Sequence, residues 1–220
     1  MEKEIKMESY KMLFAPGTGE ITEKKSRFIA TVRPVNSEEE AVSFIEEMRR
    51  KYWDASHNCH AFTIGLNNEV TRCSDDGEPG GTAGKPMLDV LLGEAVHDAA
   101  VVVTRYFGGT LLGTGGLVRA YSKAAQEGLK NSIVLEKYLS SKIHVVTDYN
   151  GIGKIQYIAA QMDVHISDTV YTDSVVIELF VRRSDEGGLI KKITEATNGR
   201  AQIEKEGEFY IGFVDKKLIL

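Results

Sequence analysis

The sequence predicts an α+β protein with two domains, the second of which has a ferredoxin-like fold. A chain of 220 residues is long enough for two modest domains, each with its own core. Glycine-rich segments are frequent in residues 1–137 and sparse after them. In residues 138–220 the hydrophobic patterns follow the order β-α-β-β-α-β, which is typical of the ferredoxin-like split βαβ motif. We therefore expect one domain at residues 1–137 and another at 138–220.

The first regular elements are a strand and a helix. Residues 26–35 (SRFIATVRPV) are rich in branched and aromatic side chains, which predicts a strand. Asn36 or Ser37 then caps a helix, because three glutamates follow at its positive end and three basic residues lie near its other end. Apolar residues recur in this segment at helical spacing, namely Ala41, Phe44, Ile45 and Met48.

Two glycine-rich loops interrupt the rest of the first domain. Its other predicted elements are two strands, a short helix, a strand and a helix, at residues 60–66, 70–73, 86–92, 99–106 and 117–129. The first loop (SDDGEPGGTAGKP) and the second (FGGTLLGTGG) contain many helix and strand breakers. Between them, residues 99–106 (AAVVVTRY) form a continuous apolar run, the pattern of a central strand buried on both faces.

The second domain is predicted from hydrophobic periodicity. Its elements are a strand, a helix, two strands, a helix and a strand, at residues 141–147, 153–161, 164–171, 174–182, 186–197 and 202–213. The strand at 174–182 is long and apolar, and we expect that it could lie at a sheet edge and pair with another protein.

Composition excludes several classes of protein. A net charge of −5 argues against a protein that coats nucleic acid through basic excess. No apolar run approaches the roughly 20 residues of a membrane-spanning helix, and no signal-peptide core is present. Cys59 and Cys73 are too few for a disulfide scaffold. We expect a cytoplasmic protein without a membrane partner.

One stretch differs in charge from this acidic chain. Residues 99–126 contain Arg105, Arg119 and Lys123 but no aspartate or glutamate. This distribution indicates a small patch that attracts anions.

The glycine loops on either side of the 99–106 strand could form that patch. Glycine lets main-chain N–H groups approach a ligand closely, and a helix that starts near Gly115 and Gly116 has unpaired amides at its positive end. Arg105 and Arg119 add forked donors that suit phosphate, and Tyr106 could stack on a base. The candidate anion- or nucleic-acid-binding residues are Lys85, Arg105, Tyr106, Gly108, Gly109, Gly113, Gly115, Gly116 and Arg119.

Plainer interpretations of these residues stay open. The glycines could serve only tight turns and close packing, and Arg119 could pair with a surface carboxylate. Neither standard nucleotide motif is present. Pro86 stands where a P-loop needs Ser or Thr, and Val118 stands where the Rossmann motif needs its third glycine.

Asp75, Asp76 and Glu78 form an acidic cluster in the first loop. Three carboxylates in four residues could hold Mg²⁺, which prefers oxygen ligands, although they could also be the caps of a solvated turn. No other cofactor is expected. The spacing of His57, Cys59 and other nearby ligands matches no zinc framework, and nothing places a base beside a thiol. We expect no catalytic residue.

Several motifs resemble the IMPACT/YigZ family. They are DDGEP at 75–79, GTAGKP at 81–86, RYFGG at 105–109, LG at 112–113 and GGLVRAY at 115–121. The resemblance implies an N-terminal domain of the type of domain two of ribosomal protein S5 and a ferredoxin-like second domain. Such a pair is similar to the last two domains of elongation factor G.

The resemblance also implies a role in translation. Eukaryotic members carry a preceding RWD domain and restrain a starvation-responsive initiation-factor kinase by competing for its activator. We expect no such domain before the shared motifs here. We expect a non-enzymatic, translation-associated regulatory factor whose partner is the ribosome, RNA or a translation-related protein. The alternatives are a magnesium-dependent hydrolase of a phosphate-containing substrate and a protein–protein adaptor.

Overall fold

The computed structural model describes residues 7–215 and 217–220, in which the chain forms two compact units. One unit is Tyr10–Glu136, and the other is Lys137–Leu220 together with residues 7–9. None of the described helices combines the length and the apolar character needed to cross a lipid bilayer.

The first unit is built around an antiparallel sheet. The elements, in chain order, are β1 (Ser9–Ala15), β2 (Gly17–Glu23), β3 (Ser26–Pro34), α1 (Glu38–Lys51), β4 (His57–Ile64), β5 (Val70–Ser74), α2 (Gly84–Gly93), β6 (Val96–His97), β7 (Ala99–Tyr106) and α3 (Thr114–Lys130). The order of strands in the sheet is β2-β3-β7-β4-β5. Outside this sheet, β1 and β6 form a short parallel pair.

Strand β7 lies at the centre of this sheet and is buried on both faces. Val101 and Val103 belong to the core beneath α2 and α3, whereas Ala100 and Val102 belong to a second core beneath α1. The continuous apolar run of this segment therefore serves both cores, as expected for a central strand.

The helices cover opposite faces of the sheet. Helix α1 begins at the Ser37 cap, whose hydroxyl accepts a hydrogen bond from the Glu40 N–H at 3.2 Å. Its buried side chains include Phe44 and Met48. On the other face, α2 and α3 bury a larger apolar set that includes Tyr121.

The second unit is a four-stranded antiparallel sheet with two helices on one face. The elements are β8 (Ile133–Thr147), α4 (Ile152–Gln161), β9 (His165–Tyr171), β10 (Val175–Arg182), α5 (Glu186–Ala196), β11 (Gln202–Val214) and β12 (Lys217–Ile219). The sheet has the order β9-β10-β8-β11, and β12 forms a hairpin with β11. The apolar faces of α4 and α5 pack on this sheet through residues such as Ile155 and Leu189. This is the ferredoxin-like arrangement.

The structure confirms the α+β fold class and the ferredoxin-like second half. One expectation was wrong: the strand predicted at residues 174–182 is not at an edge, because β10 pairs with both β8 and β9. The sequence patterns also missed β2, β6 and β12. Helix α3 starts at Thr114, inside the predicted second glycine loop.

Candidate functional site

The two glycine-rich loops lead into the N-termini of α2 and α3, and these two helix ends have different surroundings. At α2, the Asp75 carboxylate accepts main-chain hydrogen bonds from Gly81 (2.8 Å), Ala83 (2.9 Å) and Gly84 (2.8 Å). Burial by itself would raise the pKa of Asp75, yet these three N–H donors outweigh it and lower the pKa. The protein's own carboxylate therefore occupies the anion position at this helix end.

Asp76 also has partners within the fold. Its carboxylate forms an ion pair with Arg49 at 3.0 Å and accepts a hydrogen bond from the Asn58 N–H at 2.7 Å. Its main-chain carbonyl lies 2.8 Å from Nδ1 of His57. Asp76 thus joins the loop before α2 to α1 and β4.

Glu78 and Arg105 form a buried ion pair. Arg105 is 5 % exposed and Glu78 is 9 % exposed, and the Arg105 Nη1 donates to the Glu78 Oε1 at 2.5 Å. The Tyr121 hydroxyl donates to the same oxygen at 2.8 Å. The Arg105 Cζ lies 5.4 Å from the centre of the Phe28 ring and 5.6 Å from that of Phe107. This pair ties the loop before α2 to β7 and α3. Arg105 is therefore an internal support in this structure, and the expectation that it presents its charge to an external anion needs correction.

The three acids of the first loop are not brought together as a ligand set. Asp75 binds main-chain amides, Asp76 binds Arg49, and Glu78 binds Arg105 inside the core. Each carboxylate is directed at its own partner. The three therefore do not converge on one position where a Mg²⁺ ion could bind them, as their spacing in sequence had suggested.

Cys59 lies beneath the same loop. Its sulfur is 2.9 Å from the Asp75 carbonyl oxygen and 3.3 Å from the Tyr121 hydroxyl. Burial raises the pKa of this thiol to about 12, so it stays protonated and unreactive at neutral pH. A Cys–His nucleophile pair is not supported here.

At the N-terminus of α3, no carboxylate of the described residues takes a comparable position. Gly113 occupies the cap position with a φ of +73°, which disfavours any residue with a side chain, and no side chain caps the helix. The first turn contains no acidic residue. The Arg119 Nη1 lies 3.6 Å from where a Cβ would stand on Gly115. The guanidinium therefore folds back beside the exposed first turn.

Beside this turn lies a groove of about 230 Å³, here called the α3 groove. It is lined by Ile21, Glu23, Lys24, Leu112, Gly116, Arg119, Ala120 and Lys123. The lining contains three cations, Lys24, Arg119 and Lys123, and one carboxylate, Glu23. Within residues 7–215 and 217–220, none of the three cations has an ion-pair partner. The groove is therefore positive, in a chain whose overall charge is negative.

The structure distributes the other predicted binding residues over several positions. Lys85 lies on α2, where it pairs with Asp89 and lines a different groove. The Tyr106 hydroxyl donates to Asp54 at 2.9 Å. Gly108 is required by packing, because a Cβ there would overlap the main chain of Lys25. Gly109 is exposed beside it. Gly113, Gly115, Gly116 and Arg119 are thus the predicted residues that meet at the end of α3.

Sequence reasoning missed Lys24. It lies in the turn between β2 and β3, next to Lys25, and both residues have positive φ values, 44° and 68°. The lysine pair between two short alternating segments was the available signal, but the β2–β3 hairpin itself was not predicted. Exposed apolar side chains were missed as well: Phe107 is 49 % exposed and Leu111 is 82 % exposed.

Comparison with protein families finds matches in both halves. Residues 24–129 match the Impact N-terminal domain, and residues 145–200 match a domain of unknown function, DUF1949. The first match includes Lys24, Arg119 and Lys123 of the α3 groove.

Several individual proteins are similar to this chain. The IMPACT family member YvyE of Bacillus subtilis is 41 % identical over 92 % of this chain and 93 % of its own length. The IMPACT family member YigZ of Escherichia coli is 34 % identical, with coverage of 90 % and 98 %. A protein IMPACT homolog of Dictyostelium discoideum is 40 % identical over 42 % of this chain and 28 % of its own length. A crystal structure of a hypothetical protein, 34 % identical, covers 90 % of this chain and 97 % of its own with a TM-score of 0.57.

Proposed function

The chain belongs to the IMPACT family, and from this premise we propose that it is a non-enzymatic, translation-associated factor that binds RNA phosphate through the α3 groove. The translation role comes from the family resemblance, and the mode of binding comes from the groove.

The observation that carries the proposal is the N-terminus of α3 with the Arg119 guanidinium beside it. Among the described residues, no side chain caps this helix end, and Arg119 has no ion-pair partner. The first amides of a helix lack partners within it, and the helix dipole places about half a positive charge there. Arg119 lies next to these amides and can donate two parallel hydrogen bonds to one phosphate. Lys24 and Lys123 add charge along the same groove.

The neighbouring segment suits a polymer better than a small free anion. Leu111 and Phe107 are exposed in the loop that leads to α3. Exposed aromatic side chains are a common platform for the bases of single-stranded nucleic acid. A single-stranded RNA could place a phosphate at α3 and a base against Phe107.

The non-enzymatic part of the proposal is supported by the engagement of the reactive groups. Asp75 and Glu78 are committed to internal hydrogen bonds, and Cys59 is a buried thiol with a raised pKa. A catalytic acid, base or nucleophile in this loop would first have to leave its partner.

RNA binding by charge-matched variants tests the proposal. We expect Arg119→Ala with Lys123→Ala to weaken binding of a fluorescent single-stranded RNA about tenfold in fluorescence anisotropy, and to reduce the slope of log K against log salt by about 1.4. The control, Lys191→Ala with Lys192→Ala, removes the same charge from exposed positions on α5 of the other unit. We expect little change in the control.

Ribosome association provides the second readout. Tagged wild-type protein should sediment with ribosomal fractions in a sucrose gradient, and the groove variant should remain at the top. Equal RNA binding by the groove variant and the α5 control would remove the assignment to α3. A chain that neither binds RNA nor sediments with ribosomes would overturn the proposal as a whole.

A further inference from the structure

A second cluster of polar side chains lies on the sheet of the C-terminal unit. On β8, Ile143 and Val145 face the helices, so His144 points to the opposite face. Glu178 of β10 is in register with His144. Glu206 of β11 sits at a β-bulge, between Lys205 and Gly207. A bulge can redirect a side chain, and this one places Glu206 beside His144.

The donor atoms of these three residues are close together. The His144 Nε2 lies 3.1 Å from the Glu178 Oε2 and 3.1 Å from the Glu206 Oε2. All three atoms lie within 4.8 Å of one another. Among the described residues, no other group of three His, Cys, Asp or Glu side chains has its ligand atoms this close together.

A hydrogen bond from a neighbouring strand fixes the orientation of the Glu178 carboxylate. The Ser167 hydroxyl on β9 donates to the Glu178 Oε1 at 2.6 Å, which directs Oε2 toward His144. In protein metal sites, a carboxylate that binds the metal typically also accepts a hydrogen bond that orients it. The three side chains stand on neighbouring strands, so the sheet fixes the spacing of their main chains.

A lysine now supplies the positive charge. The Lys142 Nζ lies 2.9 Å from the Glu178 Oε2 and 2.9 Å from the Glu206 Oε2. Two carboxylates therefore share one ammonium group, and the His144 Nε2 lies next to them as a nitrogen ligand. Such a set can exchange a flexible ammonium group for a metal ion.

We propose that His144, Glu178 and Glu206 bind a zinc ion, with water as the fourth ligand and Lys142 as an internal competitor. The donor atoms of a tetrahedral zinc site lie roughly 3.3 Å apart, because Zn–N and Zn–O bonds are about 2.0–2.2 Å long. The two 3.1 Å separations are close to this value. An imidazole donor favours zinc over magnesium, which requires an octahedral shell of oxygen atoms.

The site is also accessible. The side chains of His144, Glu178 and Glu206 are 37 %, 25 % and 45 % exposed, so an ion can enter from solvent and keep a water ligand. A zinc ion with three protein ligands and one water resembles open sites more than closed structural ones.

Calorimetric titration of the full chain with zinc chloride tests the proposal. We expect one zinc ion per chain at neutral pH. His144→Ala and Glu178→Gln should each weaken the affinity at least about tenfold. Glu204→Gln is the matched control, because Glu204 lies opposite His144 in the β8–β11 register but outside the ligand set. Cys73→Ser excludes the exposed thiol as the ligand, and both controls should bind as the wild type does.

Substitution of Lys142 tests the proposal in the opposite direction, because it should increase the affinity for zinc. Loss of folding would decrease that affinity. Lys142→Met removes an ammonium group that repels the ion, and we expect about tenfold tighter zinc binding. Cobalt in place of zinc should give the intense visible absorption of a four-coordinate ion, and His144→Ala should abolish it. Absence of zinc binding, wild-type affinity in His144→Ala, or unchanged or weaker affinity in Lys142→Met would each overturn the proposal.

Discussion

The N-termini of α2 and α3 are two versions of the same local structure. Each follows a glycine-rich loop, and neither is capped by the residue at its own N-cap position. At α2, Asp75 reaches back and accepts three main-chain hydrogen bonds. At α3, no acidic residue lies in the first turn, and Arg119 lies beside it instead. Within the part of the chain that the structure describes, a carboxylate of the protein binds the N-terminus of α2, and none binds that of α3.

Glycine content alone therefore does not locate an anion site. Glycine makes main-chain amides reachable, and the reach of the nearest carboxylate decides whether they serve the fold or a ligand. The same division holds for the two arginines. Arg105 is buried against Glu78, whereas Arg119 is exposed and has no ion-pair partner among the described residues.

The largest loss of stability is expected when the buried ion pair between Glu78 and Arg105, which holds the loop before α2, is broken. Arg105→Met leaves the Glu78 carboxylate buried with the Tyr121 hydroxyl at 2.8 Å and the His57 Nε2 at 3.9 Å. Removal of one member of a buried pair costs about 3–5 kcal/mol. Urea unfolding measures this loss. The comparison is Arg119→Met, which removes the same group from the exposed end and should change the free energy of unfolding by less than about 0.5 kcal/mol.

A double variant separates the charge from the packing. Glu78→Gln in the Arg105→Met background removes the uncompensated carboxylate and should recover part of the stability, so the two changes should not be additive. Additive losses, or a loss in Arg105→Met no larger than in Arg119→Met, would contradict a buried pair.

The internal anion of α2 should have the next largest effect. Asp75→Asn keeps the shape but loses the charge, and it turns an N–H₂ group toward a main-chain donor. We expect a loss of about 2 kcal/mol at neutral pH, because the three donors bind a charged acceptor. Asp89→Asn, on the same helix, removes only a surface ion pair with Lys85 and should cost less than about 1 kcal/mol.

The difference in stability between the wild type and Asp75→Asn should disappear in acid. The fold lowers the pKa of Asp75 below its ordinary value of 3.8. Its contribution is therefore complete above the pKa of the unfolded chain, about 4, and declines as the pH falls through the lower pKa of the folded state. Unfolding curves of the wild type and Asp75→Asn should converge below about pH 4. A gap that widens with acid would contradict the role of the ionised carboxylate.

Sequence alone predicted most of the architecture because regular elements leave periodic signals. Residues 99–106 were predicted as a central strand, and β7 has those bounds. The βαββαβ order of the second half follows from alternation and helical spacing, and these patterns survive without knowledge of the tertiary contacts. The strand at 174–182 was wrongly expected at a sheet edge, because an apolar strand has the same pattern whether one or both of its edges are paired.

The site was less predictable because it depends on contacts between distant residues. Glu78 and Arg105 lie in different glycine motifs, and only folding buries them together. Asp75 was proposed as a metal ligand from its neighbours in sequence, but its partners are the amides of Gly81, Ala83 and Gly84. Lys24 is distant in sequence from Arg119 yet lines the same groove. Local composition indicates which groups are available and cannot indicate which are already satisfied.

The smallest change in stability should accompany a change that makes α3 resemble α2. Thr114→Asp places a carboxylate in the exposed first turn, where it interacts favourably with the helix dipole and should stabilise the fold by about 0.5 kcal/mol. If the α3 groove binds phosphate, the same carboxylate should weaken RNA binding several-fold. Thr114→Asn is the uncharged control and should leave both quantities nearly unchanged. Stability and RNA binding are thus expected to move in opposite directions, which a general loss of folding cannot produce. If Thr114→Asp raised stability and left RNA affinity at the wild-type value, the open end of α3 would be a structural feature without a ligand.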